Sequence, residues 1–321
     1  MKSEEFVIQT QELSKRYGEV DVLRSLDLAV PKNAIFGFLG PNGAGKSTTM
    51  KLLLGLAEPT AGNASLFGLD AVRDSLAIRA RIGYLPQQPR FYGQLTARET
   101  LRFVAECYYR GPAGTLEARV EEALALVGLE QKADRPVRGF SGGERQRLGL
   151  AQAQINEPEL LILDEPAAAL DPIGRHDVLA IMARLRHRAT IFYSTHILDD
   201  VQQVSDTVAI LNQGQLITQG PIEALLSGDG ALVYTVTTKG DPDRTRQRLA
   251  DQPWITGVDL ARHNGTSAWQ VRVADEATAE ALLLRLLLAD EQITVTEFTR
   301  KRYQLEEVFI DLIEGDNNGR A

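Results

Sequence analysis

The segment "GPNGAGKST", Gly40 to Thr48, has the spacing G-x-x-x-x-G-K-[ST], a pattern built to hold phosphate. Gly40, Gly43 and Gly45 permit a tight turn that aims backbone N–H groups at a β-phosphate, with Pro41, Asn42 and Ala44 completing the loop. Lys46 would reach the β- and γ-phosphates, the Ser47 hydroxyl would bind Mg²⁺, and Thr48 leads into a helix. A plain glycine turn with a lysine at a helix start is the structural alternative. A buried strand before the loop and a helix after it favour phosphate.

Other side chains could complete that chemistry. "LLILDEP" ends on Asp164 and Glu165, at the C-terminal edge of a buried strand, where open α/β sheets bind ligands. Asp164 suits a contact to Mg²⁺ through water, and Glu165 suits a general base that polarises an attacking water. His196 closes "IFYSTH" at another strand edge, where imidazole can bond a γ-phosphate and keep base and water in line. Gln87, in "IGYLPQQP", offers an amide that can bind and release Mg²⁺ or the water. Tyr17, in "LSKRYGEV", fits either stacking on adenine or ordinary packing. Asp171 precedes Pro172 and an amphipathic helix, 173–187, so an N-cap is at least as good a reading as a functional acid.

A second loop competes with the first. "FSGGERQRLG", Phe140 to Gly149, places Ser141, Gly142, Gly143 and Glu144 at a helix start. Outward N–H groups and the positive end of the helix dipole make that another anion site. One chain therefore carries two phosphate-reading loops, and the pairing needs a reason.

The elements that must position these residues follow from periodicity. The first thirty residues alternate apolar and polar, as in "FVIQTQEL", which suits half-buried antiparallel strands. "AIFGFLG", "ELLILDEP" and "ATIFYSTH" are continuous apolar runs, the mark of strands buried on both faces of a parallel sheet. Residues 96–155 are mostly helical. Beyond "QGPIEALLSGDG" the order is strand 231–238, helix 243–250, strands 255–260 and 268–273, helix 276–289 and strand 292–299. This β-α-β-β-α-β order suggests a small ferredoxin-like domain, and a helix in "QLEEVFIDLI" closes the chain. We place the boundary so that 4–226 forms one domain and 227–321 another.

The chain has 321 residues and a net charge of −8, which argues against a nucleic-acid partner. Its single cysteine, Cys107, rules out an internal disulfide and reads as a buried structural thiol on a helix with Leu101, Val104 and Tyr108. His176, His187 and His263 lie in polar stretches and take no role. No signal peptide or membrane span is legible: the most apolar run, "ALLLRLLLA", is short and interrupted by Arg285. A membrane role would have to come through a partner.

Together these residues resemble the nucleotide-binding subunit of an ABC transporter. "GPNGAGKST" is similar to its Walker A motif, "LLILDEP" to Walker B, "FSGGE" to the signature, "LPQ" to the Q-loop, "AALD" to the D-loop and "STH" to the H-loop. The tail, ending in "YQLEEVFIDL", is similar to the extension of ABC-2-type exporter ATPases. The resemblance implies a RecA-like P-loop NTPase core of α/β class with an antiparallel β subdomain and a helical subdomain. It implies ATP and Mg²⁺ as ligands, with a second copy of the ATPase and a separate ABC-2-type permease as partners, at the cytoplasmic face of the membrane. It also implies why there are two loops: subunits pair head to tail, and the signature of one binds the γ-phosphate held by the other. Phe140, Glu144, Ala167 and Ala169 depart from the usual family residues, at positions that carry no ionisable catalytic group. A soluble ABC ATPase acting on ribosomes or DNA is the second reading, but such chains typically have two cassettes and basic surfaces. A regulatory module without catalysis is opposed by the intact Lys46, Asp164, Glu165 and His196.

Overall fold

The computed structural model describes residues 5–110, 112–226, 232–263, 266–290, 292–300, 305, 306 and 309. The chain divides into two compact units, the first running to Ile222 and the second beginning at Glu223. The Gly/Ser/Asp stretch 227–230, the expected linker, and most of "QLEEVFIDLI" lie outside the described residues, although Leu305, Glu306 and Phe309 are helical.

The first unit begins with β1 (Phe6–Tyr17), β2 (Val20–Leu26), β3 (Ala29–Pro31), β4 (Ile35–Leu39), α1 (Lys46–Leu53), β5 (Ala61–Leu66), β6 (Leu69–Asp70), α2 (Ser75–Arg79) and β7 (Ile82–Leu85). It continues with α3 (Ala97–Tyr108), α4 (Ala113–Leu126), α5 (Gly142–Gln154), β8 (Leu160–Asp164), α6 (Pro172–Leu185), β9 (Thr190–Thr195), α7 (Leu198–Val204), β10 (Thr207–Asn212) and β11 (Gln215–Pro221). The short helix α8 (Ile222–Leu226) follows.

Two sheets result. The six-stranded sheet has the order β11-β10-β4-β9-β8-β7, parallel except for the edge strand β11. The strands before the phosphate loop and before the acid pair are thus separated by β9, whose end carries His196. Side chains alternate across this sheet. Ile35, Leu161, Leu163, Ile191 and Tyr193 share a core with α3–α6, while Phe36, Phe38, Ile162 and Phe192 share another with the antiparallel strands. Phe192 lies with its ring centroid 5.7 Å from Phe36 and 5.3 Å from Phe38. The antiparallel sheet runs β2-β1-β5-β6, with β3 also on β1. Helices α3–α5 make the helical part; α3 starts at Thr96 with a capping box closed by Glu99.

Cys107 corrects an expectation: it is exposed on α3, as is Tyr108, and only Leu101 of that set is fully buried. The helix turns Leu101 and Ala105 inward, so Cys107 falls outside the apolar stripe.

In the second unit, β12 (Leu232–Gly240), α9 (Asp243–Ala250), β13 (Ile255–His263), β14 (Thr266–Val273), α10 (Glu276–Leu288) and β15 (Ile293–Arg300) follow the expected order. The sheet order β13-β14-β12-β15, antiparallel throughout, is ferredoxin-like. Tyr234, Val236, Trp269 and Val271 pack on Leu249, Leu283 and Leu287 of the helices. The Trp269 indole N–H donates to Thr238 Oγ1 at 2.9 Å, so burying the indole leaves no unpaired donor.

Candidate nucleotide-hydrolysis site

The phosphate loop is held open by its surroundings. Gly43 and Gly45 have φ of 82° and 108°, in the left-handed region that favours glycine. A Cβ on Gly40 would lie 2.3 Å from the Leu211 carbonyl oxygen, and one on Gly45 would lie 2.7 Å from Leu23 Cδ2. The loop is pinned by backbone bonds from Gly40 N–H to Thr195 O (3.2 Å) and from Gly214 N–H to Ala44 O (3.0 Å). It lines a cleft of ≈ 340 Å³ with Asn42, Gly43, Gly45, Lys46, Ser47 and Thr48, joined there by Val22, Gln87 and Glu165.

Lys46 is 6% exposed, and its ammonium donates to the carbonyl oxygens of Gly40 (2.6 Å) and Pro41 (3.1 Å). Burial lowers its pKa, and Glu165 Oε1, 3.5 Å away, is the main opposing influence. Glu165 is 5% exposed and has a φ of 51°, a left-handed conformation that costs a non-glycine residue roughly 1–3 kcal/mol and clusters at functional sites. Its Oε2 lies 2.7 Å from His196 Nδ1. One carboxylate thus touches both the lysine and the histidine.

Asp164 is held differently. Its Oδ1 accepts from Ser47 Oγ at 3.2 Å and from Ser194 Oγ at 2.6 Å. The fully buried Ser194 also accepts from the Glu165 N–H at 2.9 Å, fixing both acids from the neighbouring strand. The sequence reading missed Ser194. Its place beside Asp164 comes from the β8–β9 register, which pairs Asp164 with Ser194, and one strand cannot announce its neighbour.

Other expected residues divide. Gln87 follows β7 and lines the cleft, exposed. Tyr17 ends β1 at 48% exposure with the Lys15 ammonium 4.8 Å from its ring centroid, and it is not among the cleft-lining residues. Asp171 caps α6, its side chain accepting from the Gly174 N–H at 3.1 Å, with Pro172 at the first helical position. Ser141 to Glu144 do not line the cleft. Ser141 caps α5, accepting from the Glu144 N–H at 3.2 Å, while Glu144 accepts from the Ser141 N–H at 2.8 Å and pairs with Lys132. This capping box accounts for Glu144 within its own chain. The helix geometry leaves the N–H groups of Gly142 and Gly143 without intrahelical partners. Added side chains at these glycines would meet nothing within 4 Å at Gly142 and only Gly174 Cα, at 4.0 Å, at Gly143.

Among the described residues no three His, Cys, Asp or Glu side chains converge as a metal cage. The hard oxygen set of Ser47, with Asp164 behind it, fits Mg²⁺, which takes few protein ligands and shares phosphates and water.

Comparison with known proteins agrees with this geometry. Residues 23–168 match the family model described as ABC transporter. The bacitracin transport ATP-binding protein BcrA of Enterococcus faecalis is 41% identical over 313 residues, covering 97% of this chain and 97% of that protein. The ABC transporter ATP-binding protein YxlF of Bacillus subtilis is 34% identical over 307 residues, covering 96% and 99%. A solved ATP binding subunit of an ABC transporter is 32% identical with a TM-score of 0.63, covering 70% of this chain and 93% of that one. The dimeric bacterial ABC transporter cassette MJ0796 is 26% identical with a TM-score of 0.62, covering 67% and 98%. With the phosphate loop and Glu165 lining one cleft, Asp164 and His196 hydrogen-bonded to Ser47 and Glu165, and relatives along nearly its whole length, this chain belongs to the ABC transporter ATP-binding proteins and is an ATPase.

Proposed function

We propose that the chain uses ATP with Mg²⁺ to power export through a separate ABC-2-type permease, with each ATP sandwiched between two ATPase subunits. Relatives named for bacitracin transport and for linearmycin resistance support the export reading. Glu165 is the general base, Lys46 holds the β- and γ-phosphates, and His196 keeps Glu165 aligned through its Nδ1 contact. Ser47 and Gln87 would hold Mg²⁺, with Asp164 through a water, and the ion would neutralise phosphate charge. The backbone from Gly40 to Thr48 binds the nucleotide, and Tyr17 faces its base.

The observation that carries the sandwich is the pair Gly142–Gly143. Neither has a positive φ and neither is crowded within the chain, so nothing inside the chain requires glycine at these first two positions of α5. Glycine is explained by close approach of something outside the chain, and a neighbour's γ-phosphate at a helix start fits. The D-loop residue Asp171 then lies at the same interface.

The permease docks near Gln87 and the helical region 88–135, where Tyr92, Phe103 and Tyr108 are 64%, 57% and 48% exposed. The protein then sits at the cytoplasmic face of the membrane; among the described residues no helix is long and apolar enough to cross it. The domain beyond residue 226 tunes dimerisation or coupling and makes no contact with ATP. The test is reconstitution in vesicles with the six-span membrane protein expected from a neighbouring gene. ATP-driven substrate movement with the wild-type chain, and none with Glu165→Gln, is the expected result. Movement that continues with the mutant would defeat the proposal.

A further inference from the structure

Asp200 is more buried than either acid of the cleft, at 1% exposure against 5% for Asp164 and Glu165, yet the proposed chemistry does not use it. It lies on α7, four residues beyond His196. Its carboxylate accepts from Arg175 Nε, and Arg175 Nη2 lies 3.8 Å from Asp199. Arg175 belongs to α6, where its N–H donates to the Asp171 carbonyl oxygen at 2.9 Å. One ion pair therefore joins the helix that starts at Asp171 to the helix that starts just after His196.

The same short helix is braced from below. Tyr193 Oη donates to the Asp200 carbonyl oxygen at 3.3 Å and lies 2.7 Å from Ser205 Oγ. On β4, a Cβ at Gly37 would come within 2.9 Å of Ser205 Oγ and 3.3 Å of Val201 Cγ1, so the strand feeding the phosphate loop carries glycine there. His196 is itself 42% exposed, and its ring makes one hydrogen bond, to Glu165. His196 is the link between β9, which ends at Thr195, and α7, which starts at Leu198, so its position depends on where both elements lie.

Arg175 is 28% exposed and Asp200 1%, and an ion pair with one buried partner is weak evidence for a stabilising role because desolvation offsets the attraction. We propose that Arg175 and Asp200 are positioning residues that hold α7 to α6, so that displacement of the Asp171 segment by a neighbouring subunit reaches His196 and its bond to Glu165. The proposal rests on the reading of His196 and of the dimer given above.

A mutant cycle of His196→Ala and Asp200→Asn tests it, with single-turnover rates, KM for ATP and thermal melts recorded for each variant. Asp200→Asn should lower the rate roughly 10–100-fold with KM unchanged, the scale of a small misplacement of a reacting group. In the His196→Ala background the same substitution should cost no more than about twofold, within ordinary additivity error. Arg175→Lys keeps a charge beside Asp200 but loses the planar fork, and should show a smaller loss that also vanishes without His196. If Asp200→Asn does not fold, the Arg175→Lys cycle decides. An equal loss in both backgrounds, or none in either, overturns the proposal while leaving His196 in its role. A His196→Ala protein with wild-type rates would instead remove His196, and the proposal with it.

Discussion

Replacing Glu165 with glutamine isolates the proposed general base with little change of shape. The side chain is 5% exposed, one oxygen lies 3.5 Å from Lys46 Nζ, and the other lies 2.7 Å from His196 Nδ1. An amide keeps the volume and one acceptor but cannot take a proton from water. Hydrolysis should slow by roughly 10²–10⁴-fold, about 3–5 kcal/mol in the barrier. Nucleotide binding should persist, because Lys46 keeps its two carbonyl acceptors on Gly40 and Pro41. Glu165 is also the main influence opposing the burial that lowers the Lys46 pKa. Without that carboxylate the pKa falls further, so binding in the mutant should fade at a lower alkaline pH than in the wild type. Single-turnover hydrolysis and a pH series of nucleotide binding are the assays. A mutant within a few-fold of wild-type rate removes Glu165 from the role, and a mutant that cannot bind ATP refutes the account of Lys46.

Three further outcomes are expected. Ala169 has a φ of 58°, and Ala169→Gly should stabilise the protein by about 1 kcal/mol in urea denaturation by removing the left-handed strain; destabilisation would contradict this. The Lys132 ammonium, then the Ser141 N–H, lower the Glu144 pKa, so the folded state binds fewer protons there than the unfolded chain. That stabilisation is complete above the ordinary carboxylate range and lost as pH falls below it, so the deficit of Glu144→Gln should shrink in acid and not in base. A chain ending at Leu226 should still fold and bind ATP with similar affinity in calorimetry, and loss of binding would tie the second unit to the site.

The phosphate loop, the acid pair and the strand runs were legible because each is local: a glycine spacing, a fully apolar run, a helix start. The strands and helices of the second unit were found within three residues of their ends for the same reason. Pairing was not legible. Nothing in "LLILDEP" states that β9 lies between it and the phosphate loop, so the bridging Ser194 stayed hidden in "FYST" while its neighbour His196 stood out by type. Cys107 was misread because the width of the buried stripe on α3 depends on what packs against it, and that is a tertiary fact. Glu144, a departure from the family pattern, acquires its reason only from the capping box and Lys132.

The central claim is that the two phosphate-reading loops of one chain serve two different ATP molecules. Mixing Lys46→Ala with Gly143→Asp tests it most directly. Each mutant alone should be inactive, the first for want of the cation on the phosphates, the second because a carboxylate meets the partner's γ-phosphate in a partly desolvated site. Heterodimers in the mixture hold one doubly broken site and one intact site, built from Lys46 of one chain and Gly143 of the other. ATPase activity should recover on mixing, to about half in the heterodimer if the sites are independent and less if they are coupled. A Gly143→Asp protein that hydrolyses ATP at the wild-type rate while sedimenting only as a monomer would contradict the claim.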